Sequence, residues 1–279
     1  MGTATLNAAR SAPTAAAGSF HLAKWYLDLV TDEGTAAVLY HAELRWGLIR
    51  AGYSALLFAE AGQPARTVST WRHCPPPTLG NGDARWSSTR LGIHGEWHAA
   101  DPPCDRTLLQ TRAGAVRWSC LMPRARATLA LGERRLTGWG YVEHLDLTLQ
   151  PWRLPIDELR WGRFASAAGS VVWINWHGAL PLSLVLVNGR EVAHAQFSDS
   201  AIRWRGGMLR LHSGRTLRRG ALGSTVLPGA PLLNALAPRA ARALDEHKIV
   251  ARAELTLGDA PAASGWSIHE CVRFRDRAP

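Results

Sequence analysis

Glu143 is the residue around which chemistry can be argued. It lies in Gly138-Trp139-Gly140-Tyr141-Val142-Glu143-His144, a stretch that runs on through Leu145, Leu147 and Leu149. Extended backbone sends alternate side chains to opposite faces. Trp139, Tyr141, Glu143, Leu145, Leu147 and Leu149 therefore share one face, and Gly138, Gly140, Val142, His144, Asp146 and Thr148 the other. The first face is aromatic and apolar apart from a single carboxyl. Turned toward a core or cavity, that carboxyl loses its water, and desolvation raises its pKa and keeps it protonated. A protonated acid among rings suits attack on an unactivated carbon–carbon double bond. Protonation makes a carbocation, and electron-rich rings stabilise it by roughly 0.5–2 kcal/mol per contact.

Glu143 and Tyr141 are thus the candidate catalytic pair, and Trp118, Trp139, Trp173 and Trp176 the candidate substrate-binding rings, with Arg160 beside them. The competing reading is structural. Buried carboxylates ordinarily have partners, so Glu143 pairs with Arg160 or Arg163 and the rings are ordinary core. His144, on the small polar face, reads as a hydrogen-bonding residue rather than a catalyst.

Other constellations are weaker. His94, Glu96 and His98 of His94-Gly95-Glu96-Trp97-His98 would share a strand face as a metal triad, but mixed His/Glu faces are common on edge strands, and no metal is expected. The sequence has no Gly-x-Ser-x-Gly elbow, no phosphate loop and no dinucleotide fingerprint between strand and helix. These absences argue against Ser-His-Asp catalysis and against nucleotide binding. Cys74, Cys104, Cys120 and Cys271 form no CxxC pair, which argues against structural zinc and for reduced thiols.

The elements that would position these residues are strands. Trp25–Val30, a turn at Thr31-Asp32-Glu33-Gly34 and Ala36–Leu44 read as a hairpin. Short apolar runs recur at Tyr53–Phe58, Val116–Met122 and Ala127–Leu131, with turn residues between them at Cys74–Pro77 and Gly80–Asp83. Leu232–His247 is the one helical candidate. Thirteen Trp against five Phe and four Tyr, spread along the chain, suit many short strands around a shared interior. The expected fold is mainly β. Lys24-Trp25 before Gly34, and Arg160-Trp161 before Gly169, form an internal echo of the kind a duplicated β domain leaves. The expected organisation is an Ala-rich disordered leader over 1–19 and two β domains over 20–158 and 159–279.

The formal charge of +10 invites nucleic acid, yet of the 32 Lys and Arg residues only Lys24 and Lys248 are lysine. An Arg-, Ala- and Gly-rich composition follows from GC-rich coding, so no nucleic-acid partner is expected. No segment has the roughly 20 apolar residues of a membrane span. A cytoplasmic location is expected, with any membrane association peripheral, through basic clusters such as Arg210–Arg219.

Trp25-Tyr26, Trp118-Ser119-Cys120-Leu121-Met122-Pro123-Arg124 and the Gly-x-Gly-Tyr-x-acid-His pattern of Gly138–His144 resemble the AttH-like and hydroxyneurosporene synthase (carotenoid hydratase) family. The resemblance implies two lipocalin-like β-barrel domains and a pocket for a hydrophobic isoprenoid or polyene. It implies hydration of a double bond without a cofactor, or cyclisation, with Tyr141, Glu143 and Trp118 at the family's Tyr, acid and Trp positions. Glu143 stands where the hydratases carry Asp, and Val116 where they carry His. A non-catalytic lipid or pigment carrier of the same fold is the alternative.

Overall fold

The computed structural model describes residues 20–274, so the leader expected over 1–19 lies outside the described residues. Two antiparallel sheets account for the chain, one of them a half-barrel. The first sheet holds β1 (Phe20–Val30), β2 (Ala36–Trp46), β3 (Ile49–Ala59), β4 (Arg66–Thr70), β5 (Thr78–Leu79), β6 (Asp83–Ser88), β7 (Ile93–Ala99), β8 (Cys104–Thr111), β9 (Gly114–Leu131) and β10 (Arg134–Leu147). The second holds β11 (Glu158–Ser166), β12 (Gly169–His177), β13 (Leu182–Val187), β14 (Arg190–Val192), β15 (Gln196–Phe197), β16 (Ala201–Trp204), β17 (Gly207–Ala221), β18 (Leu244–Leu257) and β19 (Ala263–Phe274).

Both sheets follow one plan. The first strand is central, flanked by its hairpin partner and by the last strand of the sheet: β2-β1-β10 in one, β12-β11-β19 in the other. The pairing aligns Tyr26 with Glu143 and Trp161 with Glu270. Trp161 is thus the counterpart of Tyr26, not of Trp25 as the Lys24-Trp25 echo suggests. A slip of one residue reverses the face, and Trp25 indeed packs on the interior core of the first sheet while Trp161 lies in the core between the sheets.

Alternation divides the apolar side chains into three cores. Leu27, Leu29, Leu39, Trp86, Trp97 and Val142 fill the first sheet, and Phe164, Val171, Trp173, Ile202 and Leu209 the second. Tyr26, Tyr40, Trp118, Tyr141, Trp161, Ile174 and Ile268 form a shared core between the sheets. Between the sheets Asp28 and Arg163, both fully buried, make a two-pronged ion pair at 2.9 and 2.5 Å. At one rim the Trp266 Nε1–H donates to the Asp32 carbonyl at 3.1 Å. Gly34, with φ +90°, lies so close under that indole that a Cβ would stand 2.3 Å from the ring.

The helix expected over Leu232–His247 is broken in two and cut short. Short helices form at Pro231–Leu236 and Arg239–Arg242, and the chain is strand from Leu244 onward. Pro238 cannot continue a helical hydrogen-bond ladder, and ladders with β17 and β19 on both sides outweigh the propensity of the remainder. Among the described residues no helix is long and apolar enough to cross a membrane.

Candidate functional site

Strand β10 alternates as its sequence implies because the irregularities in its pairing fall on its partner. Between Gly140 and Glu143, β9 spends extra residues around Pro123, which lacks the N–H a regular ladder needs. Tyr141 and Glu143 therefore both face the shared core, buried, with Leu145 and Leu147 beyond them. The small residues are needed on the other side. A Cβ on Gly140 would meet the Asp28 carbonyl at 2.3 Å, which is where the Trp97 Nε1–H donates at 2.8 Å.

Glu143 has no ion-pair partner among the described residues. Its Oε2 accepts two hydrogen bonds, from Trp118 Nε1 at 2.6 Å and from the Tyr141 hydroxyl at 2.7 Å. Arg160 is instead bound to Glu158 and Asp199, and Arg163 to Asp28. Burial is the dominant influence on Glu143 and lifts its pKa above the usual carboxyl value; Lys24 and the two hydrogen bonds pull the other way without cancelling it. With both donors on Oε2, an acid proton belongs on Oε1. Tyr141 is pushed up in turn, by its own burial and then by Cys120 and Glu143, so its hydroxyl stays a donor.

A second carboxyl lies near enough to raise Glu143 further. Glu270 occupies on β19 the position of Glu143 on β10. Its environment is the reverse: Lys248 Nζ bonds its Oε2. Burial alone would raise Glu270, but Lys248, Lys24 and Arg218 outweigh it and hold the carboxyl near 2. Lys248 is itself caged by rings, 5.2 Å from Tyr26 and 5.3 Å from Trp161. Arg218 bonds Glu246 at 2.9–3.0 Å and reaches the Tyr40 hydroxyl at 3.3 Å. Apart from Asp28, which burial also raises although Arg163 pulls it down, the shared core thus holds Glu143 disposed to keep its proton and Glu270 disposed to lose it. Environments that push two carboxyls apart in this way are how acid and base roles are divided at neutral pH.

The remaining predicted residues separate. Trp118 touches Glu143. Trp176 lies in the shared core, where its Nε1–H and that of Trp161 are buried without an acceptor among the described residues. Trp173, an odd number of positions away, points into the second sheet against His269. Trp139 is on the Glu143 face but four residues along, at the rim, stacked under Arg126. Arg160 is on the half-exposed edge. His94 and His98 are exposed and bond Ser87 and Asp83. Among the described residues no three His, Cys, Asp or Glu side chains converge as a metal cage.

Glu270, Lys248, Tyr26 and Tyr40 escaped the sequence reading. Two signals were available. Gly138-Trp139-x-x-x-Glu143 recurs as Gly265-Trp266-x-x-x-Glu270, and the chain's only two lysines, Lys24 and Lys248, both act on these carboxyls.

His269 lies beside this cluster. Burial first, then Lys248 and His247, lower its pKa to about 4. The folded state favours the neutral ring, so this contribution to stability is complete above the ordinary His value near 6.5 and is lost as pH falls from there toward about 4. Melting temperature should fall across that window, and His269→Gln should flatten the fall. An unchanged slope in the variant would place the acid sensitivity elsewhere.

Fold and site together define a two-sheet, lipocalin-like β protein with a buried acid between its sheets. No family model and no curated protein matches the sequence. Solved structures match its shape. CghA aligns with a TM-score of 0.57 and 11% identity over 93% of this chain and 90% of its own. A protein assigned as an AttH from Nitrosomonas europaea aligns at 0.51 and 8%, over 92% and 93%. Kievitone hydratase from Nectria haematococca aligns at 0.50 and 10%, over 92% and 89%. At these identities the likeness is one of fold.

Proposed function

We propose that this protein is a cofactor-free hydratase or cyclase in which Glu143 protonates a double bond of a hydrophobic isoprenoid or polyene. The observation that carries the reading is a buried carboxyl held by two neutral donors, with no cation paired to it among the described residues, beside the rings of Tyr26, Tyr141, Trp118 and Trp161. The Oε1 proton forms a new C–H bond with the π electrons of the alkene, leaving the neighbouring carbon cationic and the carboxyl ionised. Ring faces stabilise that cation. Water then forms the C–O bond and its surplus proton returns to Glu143; an internal hydroxyl closes a ring and gives up its proton in the same way, and an internal alkene closes a ring with the cation moved onto it, which ends by losing a neighbouring C–H proton to the Glu143 carboxylate. Two fold relatives support the direction: one is named a hydratase, and CghA is also known in complex with Sch210972.

Neither the surface cleft between the sheets nor the adjoining one on the first sheet is lined by Glu143, so binding displaces part of the packing over it. The hydrophobic small molecule is the only partner this reading requires. Incubation with isoprenoids and polyenes in deuterated water tests it. The expected product is an alcohol or ring carrying one deuterium on the protonated carbon. Binding of these compounds without any conversion would favour a carrier of the same fold.

A further inference from the structure

The rim of the shared core has a symmetry of its own. Cross-strand pairing sets Arg126 of β9 beside Trp139 of β10, and Arg252 of β18 beside Trp266 of β19. The guanidinium of Arg126 lies 3.7 Å over the Trp139 ring and that of Arg252 lies 4.2 Å over the Trp266 ring. The strands are counterparts in the two sheets, and the two pairs flank one cleft of about 290 Å³. It adjoins a second of about 260 Å³ that shares Arg126 and Asp32 with it.

We infer that this cleft binds a planar unsaturated carboxylate. A guanidinium stacked on an indole has its flat face occupied and its N–H edge free, the arrangement that grips a carboxylate with two parallel hydrogen bonds. Among the described residues neither Arg126 nor Arg252 has a carboxylate partner; Arg252 donates only to the Asp32 carbonyl, at 3.3 Å. The third arginine of the lining, Arg163, is neutralised by Asp28. Asp32, also a lining residue, carries the one negative charge set against the two that remain. One positive charge is left over, which matches a monoanion better than a phosphate dianion. Trp139 and Trp266 also line the cleft and put ring edges beside the guanidiniums for the unsaturated part. The site lies four residues, roughly 13 Å at strand rise, from Glu143, and it does not depend on what Glu143 does.

Calorimetric titration with cinnamate, cinnamyl alcohol and inorganic phosphate tests the inference on the full chain. Cinnamate is expected to bind one per chain, at least about tenfold tighter than the alcohol, and to weaken at least about tenfold in both Arg126→Gln and Arg252→Gln. Asp32→Asn is expected to tighten it. Both arginines are exposed, so the variants should melt with the wild type, which a thermal scan verifies. Four results would each overturn the inference: no binding of cinnamate up to its solubility limit, alcohol binding as tightly, affinity unchanged in the arginine variants, or phosphate binding more tightly than cinnamate. Weaker cinnamate binding by Asp32→Asn would overturn the monoanion assignment in favour of a zwitterion.

Discussion

Glu143→Gln should leave the protein folded and cost about 10²–10⁴-fold in turnover on any alkene the wild type converts. The amide keeps an oxygen able to accept from Trp118 Nε1 and the Tyr141 hydroxyl, so the local hydrogen bonds survive. What it lacks is a transferable proton. The stability side has a definite sign. A carboxyl whose folded pKa is raised favours the fold while protonated and loses that contribution as pH rises through its folded value. Near neutral pH the wild type bears that burden and the glutamine variant does not. The variant should therefore melt at the same temperature as wild type or higher, while being inactive. Initial rates and melting curves on one preparation decide the matter: full turnover by the variant would remove Glu143 as the acid, and a variant that unfolds would make the carboxyl structural.

The second large effect belongs to the buried ion pair of Asp28 and Arg163 between the sheets. Arg163→Leu leaves the Asp28 carboxyl buried without its cation, and it should cost about 3–5 kcal/mol of unfolding free energy. That is a large share of the roughly 5–15 kcal/mol that holds a typical domain. Most of the loss should return when Asp28→Leu is added, because an apolar pair of similar volume carries no charge to desolvate. Urea unfolding of the two single variants and the double completes a thermodynamic cycle. Losses that simply add would mean the two side chains are not energetically coupled, against the geometry described above.

Much of the first half of the site was legible in the sequence. The period-two pattern put Tyr141 and Glu143 on one apolar face, and β10 has that face because β9 absorbs the pairing irregularity at Pro123. The turn residues from Thr31 to Gly34 marked the β1–β2 hairpin, whose register begins with Val30 opposite Ala36. What one strand cannot show is which sheet will lie across from it. The Glu143 partners were sought among nearby arginines, Arg160 and Arg163, whereas the structure gives Glu143 neutral donors and gives each arginine a different carboxylate. Trp173 and Trp176 look alike in a sequence, but an odd spacing puts them in different cores. The stretch Leu244–His247 looked helical because its own residues permit a helix; two neighbouring ladders, invisible locally, decided otherwise.

Asp28 and Arg163 also carry a consequence for how this chain is connected. They are 135 positions apart and sit at matching places on β1 and β11, so matching positions meet each other face to face, as they do across the two-fold axis of a homodimer. The two sheets are placed as the subunits of such a dimer are, within one polypeptide. A single chain can differ at its two matching places: an aspartate answers an arginine at one, and one glutamate is disposed to keep its proton while its counterpart is disposed to lose it. Two identical subunits would have been obliged to carry the same residue at both places.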